Sequence, residues 1–152
     1  MERRGIQFVR QVPSTYAKKL LKLCRKDEPQ RMLDFMIMAS LIEARSCERM
    51  RILSEHLIEQ DPKLAQFYRG LLACEARHHQ IYLDLIQDIF PKDVVQSRLE
   101  EMAAAEQAIV DIPSELPRMH SWVLRIRLTL NQTKPPFGGL VIMDEVTLLQ
   151  LV

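Results

Sequence analysis

Glycine is scarce in this chain: there are four in 152 residues, and Leu, Met, Ala, Glu, Arg and Lys dominate up to about residue 110. That composition favours helix over sheet. Cysteine is sparser still. Cys24, Cys47 and Cys74 form no CxxC and no zinc spacing, and each falls inside a helical pattern. They read as reduced core residues of an intracellular protein rather than as a disulfide framework. No basic start followed by an apolar run and a small-residue cleavage site opens the sequence, and no apolar run approaches the ~20 residues that span a bilayer. The expected compartment is the cytoplasm, with no membrane partner. Charge of one sign is also lacking overall, since the net is +1. A hydrophobic content of 47% with 27% charged residues suits one soluble globular domain and not a disordered chain.

The small net charge hides an uneven distribution. Residues 1–31 hold nine Lys/Arg against three Asp/Glu, so the opening is basic and the remainder acidic. Lys18, Lys19, Lys22, Arg25 and Lys26, with Arg31, are the candidate contacts to a phosphate-bearing partner. A solvated helix face is the simpler account of the same charges.

Four helices are expected. Ser14 or Thr15 caps a first helix over Tyr16 to Arg25, and a second runs from Pro29 to about Ile58 without an internal Gly or Pro. Asp61-Pro62 supplies a cap and a first-turn proline for a third helix reaching Phe90, which Pro91 ends. The fourth covers Lys92 to Val110, with Leu99, Met102, Ala103 and Ile109 for packing and Glu100, Glu101 and Glu106 toward water. Beyond it, Leu124 to Leu130 and Leu140 to Val152 flank a turn at Lys134-Pro135-Pro136-Phe137-Gly138-Gly139, which reads as a β-hairpin. Residues 1–121 are therefore expected to form the helical domain and residues 122–152 a separate tail.

Within the third helix lies Glu75-Ala76-Arg77-His78. Residues three apart share a helix face, so Glu75 and His78 can reach one metal ion together. Leu64, Phe67, Leu71, Tyr82, Leu85 and Ile89 continue that face, so both groups are expected to point inward. The short connection near residue 60 makes helices two and three antiparallel. A partner for residues 75–78 then sits about sixteen residues before the pivot, given a uniform rise of ~1.5 Å per residue. Glu43 fits that count and shares a face with Met36, Ala39, Cys47 and Met50; Glu48 lies on a more polar side and is the reserve. The candidate metal ligands are Glu43, Glu75 and His78. His79, His56 and His120 read as polar surface, Arg45 and Arg77 as pointing away from the acids, and Tyr68, Tyr82 and the methionines as core filling.

The strings Ile42-Glu43-Ala44-Arg45-Ser46-Cys47-Glu48-Arg49-Met50, Phe67-Tyr68, Glu75-Ala76-Arg77-His78 and Tyr82-Leu83, with Pro13-Ser14-Thr15-Tyr16-Ala17 and Arg118-Met119-His120-Ser121, resemble the tRNA-(ms[2]io[6]A)-hydroxylase family. The resemblance covers roughly four fifths of the chain. It implies an all-α, ferritin-like helical bundle with a non-haem diiron centre. The implied activity is that of an oxygen-dependent monooxygenase, which hydroxylates the isopentenyl group of 2-methylthio-N6-isopentenyl-adenosine in tRNA. Dioxygen and an electron donor are implied partners. The family also carries two earlier helices with another Glu and another Glu-x-x-His, which this sequence lacks, so the bundle is expected to be partial and both ends altered. Two copies pairing as a homodimer would restore the set. The rival expectations are a non-catalytic tRNA- or protein-binding remnant and an inactive fragment with exposed hydrophobic helix faces.

Overall fold

The structure, a computed structural model, describes residues 12–114 and 118–120, together with residues 5 and 10 and the backbone of residues 122–123. Four helices follow in order: α1 (Tyr16–Leu21), α2 (Gln30–His56), α3 (Pro62–Gln87) and α4 (Lys92–Val110). A minimal sheet comes after them, in which β1 (Pro113–Ser114) pairs in parallel with β2 (Trp122–Val123). The class is all-α with this one small β element. The two strands expected around the Lys134–Gly139 turn lie outside the described residues.

Local chemistry sets the helix ends. Ser14 Oγ accepts from the Tyr16 N–H at 3.2 Å at the start of α1. This helix stops at Leu21, short of the expected Arg25. Its last turn tightens through bonds from the Leu23 and Cys24 N–H groups to Leu20 and Leu21, and the Arg25 N–H turns to the Asp34 carboxylate at 2.7 Å. Glu28 Oε2 accepts from the Met32 N–H at 3.0 Å and so covers an orphan donor at the start of α2. Asp61 caps α3 through Leu64 N–H at 3.0 Å, with Pro62 in the first turn.

The main core joins Tyr16 and Leu20 of α1, Leu33, Ile37 and Leu41 of α2, Leu83 and Ile86 of α3, and Val95, Leu99, Met102 and Val110 of α4. A smaller cluster, Cys47, Met50 and Leu72, closes the α2–α3 hairpin toward its connection. The buried line of α3 is Ala65, Leu72, His79, Leu83 and Ile86, of which Leu83 and Ile86 join the main core and Leu72 the smaller cluster. This corrects the expected inward stripe. Phe67 is 57% exposed, Leu85 46% and Ile89 59%, while Leu64, Leu71 and Tyr82 are half-buried. The physical reason is that α3 is apolar over more of its circumference than one neighbour covers. Periodicity found the apolar face but not which part of it has a partner among the described residues.

Three polar expectations also change. Glu106, expected toward water, is fully buried against Arg45, which points away from Glu43 and Glu75 as expected: Arg45 Nε and Nη2 bond Glu106 Oε1 and Oε2 at 3.0 and 2.5 Å. His79, expected on the surface, is buried, with Nδ1 2.8 Å from Ser40 Oγ and 3.0 Å from the Ser40 carbonyl oxygen. His120 is half-buried and stacked on Tyr16, ring centroids 4.4 Å apart. For Glu106 and His79 a partner distant in sequence compensates the desolvation that would otherwise exclude the group, whereas the buried His120 Nε2 has no hydrogen-bond partner among the described residues.

Candidate metal centre

Glu43 comes from the middle of α2, and Glu75 and His78 come from successive turns of α3 across the hairpin. One donor atom from each lies within 4.8 Å of the others, and this is the single such grouping of three among the described residues. His78 Nδ1 is 3.4 Å from Glu75 Oε2. The counting argument across the hairpin therefore selects Glu43. Glu48 is turned to the other side of α2, where its Oε2 accepts from Arg45 Nη1 at 2.6 Å.

Burial pushes the Glu43 carboxyl up to about 7, and a hydrogen bond with Glu75 and the Glu75 charge add to the rise. Two carboxyls that share a hydrogen bond need one proton or one cation between them. Burial and the charges of Glu75 and Glu43 likewise push the Cys47 thiol up to about 12, so it stays a neutral filler behind the acids. Cys74 Sγ lies 3.7 Å from His78 Nε2. The group is not sealed. Glu75 has a side chain 21% exposed and His78 47% exposed, so the imidazole is at the edge of the site and not inside the core as expected.

Four exposed residues of α3, Phe67, His78, Ile81 and Leu85, fall on a regular spacing together with the half-buried Leu71 and Cys74. In chain order they step alternately by four and three, the repeat of a helix-packing seam. Met32 and Phe35 of α2 are also exposed. Hard carboxylate oxygens with one imidazole form a donor set that suits iron. The acid pair whose repulsion a cation would relieve makes the fit specific to this geometry. The described residues thus offer one Glu and one Glu-x-x-His, half of a carboxylate diiron set.

Of the basic candidates, Lys22, Arg25 and Lys26 line one cavity together with Arg31, which lies between the end of α1 and the start of α2; Lys18 and Lys19 do not line it. The residues missed by sequence reasoning were Ser40 with His79 and Arg45 with Glu106. The first pair was available, since Ser40 and His79 are nearly equidistant from the hairpin pivot, as are Glu43 and Glu75. The second had no local signal, because its members are 61 residues apart on α2 and α4.

Comparison with known proteins gives a consistent picture. The family model described as tRNA-(MS[2]IO[6]A)-hydroxylase (MiaE) matches residues 1–121. The chain is 37% identical over 123 residues to a tRNA 2-(methylsulfanyl)-N(6)-isopentenyladenosine(37) hydroxylase of Pseudomonas putida, covering 81% of this chain and 58% of that protein. It is 40% identical over 123 residues to the Salmonella typhimurium hydroxylase of the same name, covering 81% and 44%. Among solved structures it is similar to a Synechococcus protein described as having aldehyde deformylating oxygenase activity, at 41% identity and a TM-score of 0.71, covering 80% of this chain and 61% of that one. The chain spans about half the length of the curated relatives it matches.

Proposed function

The chain belongs to the tRNA-(MS[2]IO[6]A)-hydroxylase family, and from that premise we propose that it carries half of an iron centre for oxygen-dependent hydroxylation of the isopentenyl group of a modified tRNA adenosine. The observation that carries the reading is the meeting of Glu43, Glu75 and His78 on facing helices. Bound there, iron supplies the activation of dioxygen that hydroxylation of an unactivated carbon requires. The protein's own part is positional. Glu43 and Glu75 offer anionic oxygens from opposite helices, the α2–α3 hairpin fixes their separation, and His78 offers a ring nitrogen at the open edge. Cys47, Met50 and Leu72 keep one side of the donors dry.

A carboxylate diiron site takes a Glu from each of two helices and a Glu-x-x-His from each of two more. In this reading a second copy supplies the complementary set, pairing across the exposed seam about a two-fold axis. C2 symmetry would bring each Glu43, Glu75 and His78 opposite its own equivalent.

Anaerobic ferrous loading followed by desalting tests both parts, with the mass in solution measured on the same samples. The expected result is about one iron per chain in a dimer, lost in Glu75→Ala and in His78→Ala. No retained iron overturns the metal reading and leaves an RNA-binding remnant as the better account. Iron retained by a monomer overturns the second-copy reading alone.

A further inference from the structure

A cavity of about 360 Å³ opens where α1 ends and α2 begins, and it lies apart from the Glu43 group. Lys22, Arg25, Lys26 and Arg31 line it, with Leu21 and Phe35 as its apolar members; no acid does. Arg25 is bonded to Asp34, a carboxylate that Arg98 also bonds while pairing with Glu101 at 2.7 Å, so the uncompensated cations of the cavity are its lysines. Arg31 meets Glu28 at 3.3 Å in an exposed pair, which solvent screens. Lys22 and Lys26 make no ion pair among the described residues and are exposed. Phe35 is 41% exposed, and the Arg31 guanidinium carbon lies 5.7 Å from its ring centroid.

We propose that this cavity seats the sugar-phosphate backbone of the substrate RNA beside the reacting nucleoside, with Phe35 as the stacking face for an adjacent unpaired base. The identification of the RNA rests on the tRNA reading above; the location rests on the cavity. Cations alone would suit any anion. Cations around an exposed ring suit a nucleotide, because phosphate and base are taken by different members of the same site. Position agrees with that division. Phe35, Ala39 and Glu43 step by four along α2, so the ring is two turns, or ~12 Å, from the first metal ligand. A strand held at the cavity can therefore present a neighbouring nucleoside to the open side of the Glu43–Glu75–His78 group.

The test is fluorescence anisotropy of a labelled, unmodified anticodon stem-loop RNA titrated with the full chain at several NaCl concentrations. Circular dichroism of each variant checks that these exposed substitutions leave the fold intact. Lys22→Glu with Lys26→Glu is expected to weaken binding more than tenfold and to reduce the salt slope by about two, the loss of two phosphate contacts. Phe35→Ala is expected to weaken binding about tenfold with the salt slope unchanged, since stacking releases no counterions. Lys63→Glu, at the opposite end of the α2–α3 hairpin, is expected to stay within about twofold of the parent. Absence of RNA binding by the parent chain, unchanged binding in the cavity variants, or an equal loss in Lys63→Glu would each overturn the assignment. Iron loading is measured separately. Iron retained without cavity-dependent RNA binding removes this inference alone, and the converse removes the oxygenase reading alone.

Discussion

Helix α2 carries two charged groups on different sides, and they are treated in opposite ways. Toward α4, Arg45 is enclosed by Glu106, Glu48 and Gln107, while Tyr16 donates to Glu106 Oε1 at 2.7 Å. Burial works against the Arg45 charge, but the hydrogen bonds and charges of Glu106 and then Glu48 outweigh it and hold the guanidinium protonated. Toward α3, Glu43 faces another carboxyl and an imidazole open to solvent. The first network is complete within the chain and ties α1, α2 and α4 together. The second is short of a cation, and its surroundings are short of a neighbour among the described residues. Complete satisfaction marks structure, and incomplete satisfaction on an otherwise well-packed helix marks a place for a ligand.

The sharpest way to break the comparison is to delete one acid from each side. Glu106→Ala leaves Arg45 charged and buried without its main partner, a change that costs about 3–5 kcal/mol. Chemical denaturation should show that loss as a fall in midpoint at unchanged slope. Glu75→Ala removes a like charge from beside Glu43 and should cost far less, while abolishing iron retention. Equal losses of stability in the two variants would mean that both groups are structural.

Asp34 sharpens the same contrast through pH. Burial alone would push its carboxyl up, but hydrogen bonds from Arg98 and Arg25 outweigh burial and hold it at about 2, below its usual 3.8. A depressed carboxyl contributes stability that is present above the unfolded value and lost as pH falls through the folded one. The contribution is thus full above about pH 4 and decays toward pH 2, with a size of about 2 kcal/mol. Asp34→Asn should lower stability at neutral pH and flatten the acid limb of the stability curve. An unchanged acid limb would place the acid sensitivity elsewhere.

The helices and the grouping of Glu43, Glu75 and His78 were legible because their signals are local or follow from hairpin counting. Asp61-Pro62 and Pro91 punctuate the chain, and the rise per residue carries Glu43 to Glu75. The Arg45–Glu106 bond depends on how α4 lies against α2, which no spacing within either helix encodes. Acids in a surface-patterned helix usually face water, and only the distant Arg45 reverses that for Glu106. The exposure of Phe67, Leu85 and Ile89 departs from the expected inward stripe for a related reason. Apolar periodicity states what a helix can cover, whereas exposure depends on which neighbours are present to cover it. The basic segment was legible as charge, but its division into cavity residues and bystanders needed the end of α1, set by the Asp34 carboxylate.

The smallest effect on stability is expected where the seam is most open, and this makes it the most discriminating. Phe67→Ser alters a large apolar side chain that is 57% exposed, so the monomer should change by no more than about 0.5 kcal/mol. Leu83→Ala, one face away on the same helix and 7% exposed, should cost about 2–5 kcal/mol through its cavity. If the seam is the surface on which a second copy docks, Phe67→Ser should abolish the dimer mass and weaken iron retention while leaving dilute-chain stability intact. Retention of both in Phe67→Ser would show that the seam is idle surface and that the half-site works alone. A large apolar residue whose replacement leaves stability intact but removes both the dimer and the iron would be accounted for by binding rather than by folding.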